Sequence, residues 1–208
     1  MKAYDQATLT ALQNREAIAP FNLLWVEAKN RDNGGLEAIG FWNGFDVADV
    51  TVINPETNLP TVRTYYGLGS LLDVPAIPQE SDLTIRSIRI LLSQVDAATQ
   101  LAVRGYDVRL APIQVHRGYF DVDTMLPVAP ARPRFIGWVN NMKINTPAVG
   151  GSGNIELTCV SHTRQLTKTN PLRRSDEQQK RRQGDRFRRH TDVAGEWLQN
   201  VFWGEAKK

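Results

Sequence analysis

Most of this chain is written in short apolar runs of period two, each closed by a cluster of Gly, Pro, Asn or Asp. That pattern restricts it to a mainly β fold, because alternation suits half-buried strands and the punctuation stops runs merging into long helices. Phe21–Ala28 and Leu36–Phe45 flank the turn signal Asn30–Gly35 and predict a hairpin. Ala48–Ile53 and Thr61–Tyr66 flank Asn54–Pro60 and predict a second hairpin or a long loop. Further strands are expected at Leu83–Leu92, at Asp107–Phe120 with a break near Pro112, at Arg134–Ile144 and at Asn154–Val160. Leu83–Leu92 carries apolar residues on both faces, so it is expected to pack on both sides or to meet another subunit.

Three segments follow helical rules instead. Residues 5–18 fit a short helix with Asp5 as N-cap, Leu9 and Leu12 one turn apart, and Pro20 as the stop. Asp96–Arg104 fits a second, ended by Gly105. Ser175-Asp176-Glu177-Gln178 reads as a capping box that opens a helix over Asp176–Gln183, stopped by Gly184. This last helix contains no apolar residue, so it must dock through its charges or remain partly ordered.

The chemistry-bearing residues are few. One cysteine in 208 residues excludes an internal disulfide, a four-cysteine zinc site and an iron–sulfur cluster held by this chain's own thiolates. Cys159 and His162 form C-x-x-H without a second cluster to complete a metal site, and Cys159 is expected in the core of a strand. His116 is expected to serve packing or a hydrogen bond, and His190 falls in a basic stretch. Asp121 and Asp123 are read as a turn. Tyr66–Leu72 contains Gly-x-Gly but lacks the third glycine of a dinucleotide fingerprint. No nucleophile elbow, zincin, Walker or calcium-loop motif is present, so no enzymatic activity and no cofactor or metal is expected. No run reaches about 18 apolar residues, and Met1–Asp5 lacks a signal-peptide core; neither membrane insertion by this chain nor export is expected.

The net charge of +3 conceals a strong asymmetry. Between Arg164 and His190 stand ten Lys/Arg and three acids, a net +7, and the remainder of the chain is −4. The expected division is a β-rich body over residues 1–163 and a basic helical arm over 164–208 that meets something anionic. Arginine pairs at Arg173-Arg174, Arg181-Arg182 and Arg188-Arg189 could neutralise phosphates, which makes a nucleic-acid-binding module the alternative reading. Phe187 is the one aromatic ring in that stretch, so a base-stacking platform is absent. The same guanidiniums suit carboxylates at a protein interface, including those of a second copy. Beyond the arm, Trp197 and Trp203 are expected as buried anchors.

The order of features resembles a known family. GFWNG at Gly40–Gly44 and YYGLGSLL at Tyr65–Leu72 precede LTIRSIRILLS at Leu83–Ser93; PRFIGWVNNMKI at Pro133–Ile144 and IELTCVS at Ile155–Ser161 follow. The tail reads R-R-S-D-x-x-Q-x-x-R-x-G-D-x-F over Arg173–Phe187, then Thr191-Asp192 and a terminal F-W-G at Phe202–Gly204. The chain is similar to the tail-tip or baseplate hub proteins of long-tailed bacteriophages and gene transfer agents. The resemblance implies a barrel or split-barrel body in a structural virion protein assembled in the host cytoplasm. Its expected place is the tail tip, as a ring, trimeric in hubs or hexameric in distal tail rings, between the tail-tube or distal tail proteins and the central fibre. Some relatives carry a cysteine-ligated iron–sulfur cluster, which a chain with one cysteine does not inherit. Arg181, Arg182, Arg188 and Arg189 are then expected to meet carboxylates across a subunit boundary, with Arg173 and Arg174 in the same interface.

Overall fold

The computed structural model describes residues 4–15, 17–67, 71–77, 82–93, 104–149, 151, 153–169, 172–191 and 195. The chain divides into two compact units, Met1–Leu166 and Thr167–Lys208. The first is built on antiparallel β-structure, as the alternating runs require.

Among the described residues its strands are β1 (Ile18–Asn30), β2 (Leu36–Trp42), β3 (Ala48–Ile53), β4 (Pro60–Tyr65), β5 (Leu71–Asp73), β6 (Ser87–Ser93), β7 (Tyr106–Asp107), β8 (Pro112–Asp121), β9 (Arg132–Asn145) and β10 (Asn154–Ser161). The main sheet runs β2-β1-β8-β9-β10-β6-β5, with the short β7 also beside β1; β3 and β4 form a separate hairpin. In a flat sheet β2 and β6 would lie about 24 Å apart, five strand spacings. Instead Phe41 of β2 and Leu92 of β6 line one apolar cavity of about 20 Å³, together with Val26, Val139 and Leu157. The sheet therefore curls around a single core that draws on β1, β2, β5, β6, β8, β9 and β10. Two bulges in β9, at Arg134 and Asn140, supply part of that bend. At Gly137, between them, an added Cβ would sit 2.0 Å from the Val160 carbonyl oxygen, so only glycine fits.

Strand β1 is buried on both faces. Leu24, Val26 and Ala28 enter the curled core, while Phe21 and Leu23 face outward under the β3–β4 hairpin, against Val50, Val52 and Tyr65. The hairpin is tied to the sheet at both ends. Ile53 N–H donates to Ala131 O (2.9 Å) and Ala131 N–H to Thr51 O (3.0 Å); Trp42 N–H donates to Tyr66 O (3.0 Å) and Tyr66 N–H to Gly40 O (2.9 Å). Gly40 permits this approach, since a Cβ there would lie 2.6 Å from Thr64 O. His116 on β8 completes the attachment: its Nε2–H donates to Ile53 O at 3.1 Å from a fully buried position.

Several expectations are corrected. The first helix, α1, spans Gln6–Asn14 and ends at Arg15 in the left-handed conformation, not at Pro20. Pro20 lies inside β1 opposite Tyr119. It is tolerated because β2 pairs with β1 only from Leu23 onward, so the missing N–H falls on an unpaired edge. Asp5 does cap α1, accepting from Ala7 N–H, but Thr8 and Ala11 are its buried residues, and Leu9 and Leu12 are exposed. Strand β6 begins at Ser87, four residues late, and buries one face only: Ile88, Ile90 and Leu92 are inside while Ser87 and Arg89 are exposed. On the other face Leu91 is half-buried, while Leu83 and Ile85 lie before the strand and are exposed. Packing on both sides is therefore not seen among the described residues, and contact with another subunit remains a proposal. The helix expected at Asp96–Arg104 lies outside the described residues except for Arg104.

In the second unit the charged helix, α2, spans Asp176–Lys180, shorter than expected. Ser175 caps it, accepting from Gln178 N–H. The backbone then turns: Gln183 and Gly184 are both left-handed, with φ of 55° and 75°. Gly184 N–H closes the turn by donating to Lys180 O at 3.0 Å.

Candidate functional site

The charge anomaly of the sequence resolves into a built surface within the second unit. Asp176, first residue of α2, receives Arg186 from beyond the turn, with Nη2 at 2.7 Å and Nε at 3.2 Å from the same carboxylate oxygen. Lys180 reaches the same carboxylate at 3.6 Å, and Asp176 is largely shielded, with 17% of its side chain exposed. The hydrogen bonds from Arg186, helped by the charges of Arg186 and Lys180, hold the Asp176 carboxyl below its usual range. Gln179, one turn on, donates from Nε2 to Asp185 at 2.8 Å and accepts Arg188 N–H at 3.1 Å. Asp185 also accepts Phe187 N–H, and the Gln179 bond followed by this one keeps its carboxyl low. Among the described residues a side-chain clamp thus ties α2, a helix without an apolar residue, to the chain beyond the turn.

The clamp decides where the arginines point. Arg173, Arg174, Arg181, Arg182 and Arg188 line one concavity of about 400 Å³, floored by Gln178 and Gln179. A second hollow of about 540 Å³ shares Arg173 and Arg181 and adds Glu177, Lys180 and Leu172. Arg182 reaches Asp185 at 3.8 Å but stays 87% exposed, and Arg188 donates to Arg174 O at 3.5 Å. Arg173, Arg174 and Arg181 have no ion-pair partner among the described residues. Five of the six arginines singled out in the sequence therefore share one wall. Arg189 is exposed away from it, and Trp197 and Trp203 lie outside the described residues. Sequence reading missed the clamp residues Asp176, Gln179 and Arg186; a capping pattern followed by Gly184 signals a turn, not which side chains meet across it.

The candidate chemical residues of the first unit are structural. Cys159 is fully buried in the curled core, its thiol directed to Leu157 O, and burial pushes that thiol up to about 12. His162 stacks on Trp138, ring centroids 4.5 Å apart, so the C-x-x-H spacing does not assemble a nucleophile and base. Asp121 shapes a turn, accepting Asp123 N–H at 2.9 Å and the Thr124 hydroxyl at 2.8 Å. Among the described residues no group of three or more His, Cys, Asp or Glu is placed to hold a metal ion.

The structure is thus a curled antiparallel β unit and a second, basic unit that carries an arginine-lined concavity. No protein-family model matches the chain, and no curated protein matches it either. Among solved structures it is similar to a chain of the "virion of native gene transfer agent (GTA) particle", with TM-score 0.49 and 15% identity. The match covers 83% of this chain and 50% of that one, so this chain spans about half the length of its structural neighbour.

Proposed function

We propose that this chain is a structural virion protein of a phage-type tail tip, a non-enzymatic ring component between the tail tube and the central fibre. One observation carries the reading. The basic charge is gathered on a unit whose described acids, Asp176, Glu177 and Asp185, are paired within it, which leaves guanidiniums available to an external anionic partner. Closed rings form through head-to-tail contacts, in which two different patches of each subunit meet. A cationic unit on one copy and exposed carboxylates on the next supply such a pair. The arginines concerned are Arg173, Arg174, Arg181, Arg182, Arg188 and Arg189, with Trp197 and Trp203 proposed as the apolar anchors of the same contact. The order of sequence features shared with tail-tip hub proteins points to the same role.

Native mass spectrometry of the purified full chain tests this reading, alone and with the tail-tube and fibre proteins of its own virion. A closed trimer or hexamer, or a stoichiometric complex with those proteins, is expected. A chain that stays monomeric under all these conditions overturns it.

A further inference from the structure

The three acids among the described residues of the basic unit are all engaged within it. Asp176 binds Arg186 and Lys180, Glu177 binds Lys180, and Asp185 binds Gln179 and Arg182. No acid among the described residues lines the concavity walled by Arg173, Arg174, Arg181 and Arg188. The backbone that carries the wall is held within the unit: Ser175 caps α2, and Gln179 accepts the Arg188 N–H. The planar forks of the guanidiniums match oxyanions in bidentate fashion.

We infer that this concavity is a receptor for an acidic segment of a second copy of the chain, whose carboxylates Arg173, Arg174, Arg181 and Arg188 clasp. The inference rests on the self-assembling role proposed above and names the site through which it works. Complementary charge is present on the same chain. Asp32, Asp46, Glu56, Asp73 and Asp123 are exposed in turns and strand ends of the first unit and carry no ion pair among the described residues. Phosphates are the competing ligand for any arginine cluster. Among the described residues of the unit Phe187 is the single Phe, Tyr or Trp, so that part offers bases no succession of rings on which to stack.

The test compares full-length wild type with R173Q/R174Q/R181Q/R188Q and with the charge-matched control R104Q/R109Q/K143Q/K168Q, all at exposed or half-exposed positions outside the clamp. Self-association is read by sedimentation equilibrium, after circular dichroism shows both variants folded. The expected result is a dissociation constant raised at least about 30-fold in the first variant and changed less than about 3-fold in the control. Equal weakening of both overturns the receptor, because net charge alone then drives assembly. Full assembly of the first variant also overturns it and leaves the ring standing. A monomeric wild type sinks the ring instead; the site is then probed with a hexaglutamate peptide and with a thymidine oligonucleotide. Peptide binding lost only in the first variant supports a carboxylate receptor. Oligonucleotide binding lost only there, or no binding of either probe, overturns it.

Discussion

His116 should make the first unit sensitive to mild acid in a way that a single substitution removes. The ring is fully buried between the sheet and the β3–β4 hairpin, where it donates from Nε2 to Ile53 O. Its Nδ1 is buried without a hydrogen-bond partner, so an added proton would have nothing to satisfy it. Burial, reinforced by the nearby Arg63 charge, depresses the imidazole from 6.5 to about 4, against a smaller opposing effect of the Ile53 bond. The unfolded chain therefore takes up the proton first as pH falls. The contribution of neutral His116 is complete above pH 6.5 or so and drains away down to about pH 4. At about 1.4 kcal/mol per unit of pKa difference, this is about 3 kcal/mol, a large part of a small domain's stability. The assay is urea unfolding of wild type and H116Q at half-unit steps from pH 7.5 to 4, followed by tryptophan emission, since Trp25 and Trp42 border the same cluster. Gln keeps an N–H donor for Ile53 O but does not titrate. Carboxylate titration is common to both proteins, so wild type should lose about 3 kcal/mol more than H116Q across that range. Superimposable pH profiles would refute the reasoning.

Other features predict equally concrete outcomes. Gly137→Ala forces a Cβ onto the Val160 carbonyl and should destabilise the first unit by about 2–4 kcal/mol in thermal or urea melts, a size expected of backbone clashes. Cys159 should resist Ellman's reagent at pH 8 in the folded protein and react at once in denaturant; rapid native reaction would contradict its burial and raised pKa. D176A removes the acceptor of Arg186 and should speed tryptic cleavage across residues 181–189 while the melting of the first unit is unchanged. Oligomers held through the arginine wall should dissociate as salt rises from 50 to 500 mM, because exposed charge pairs are screened over about 10 Å at 0.1 M.

The sequence was legible wherever local chemistry decides structure. The β1–β2 hairpin follows from the Asn-Gly turn between two apolar runs, and β8, β9 and β10 fall within a few residues of their expected bounds. It was less legible where a distant partner decides. Pro20 looks like a stop until one knows that the β2 side of β1 is unpaired there. Leu83 and Ile85 continue the alternation of β6, yet no neighbouring strand meets them and they stay exposed. For the candidate site, the charge run gave the arginines but not their sorting. Arg186 turns inward to Asp176 while Arg173 and Arg181 turn outward, a difference set by two consecutive left-handed residues.

The double burial of β1 has a consequence for synthesis. Its outer edge waits for β8: Asn22 meets Arg117, 95 positions later. At roughly 5–20 residues per second, a ribosome needs about 5–20 s to supply that partner. During this interval the early hairpin offers an unpaired strand edge with apolar side chains above and below it, the kind of surface that holdase chaperones bind. The yield of soluble protein should therefore depend on translation speed between residues 30 and 120 more than on any later part of the message.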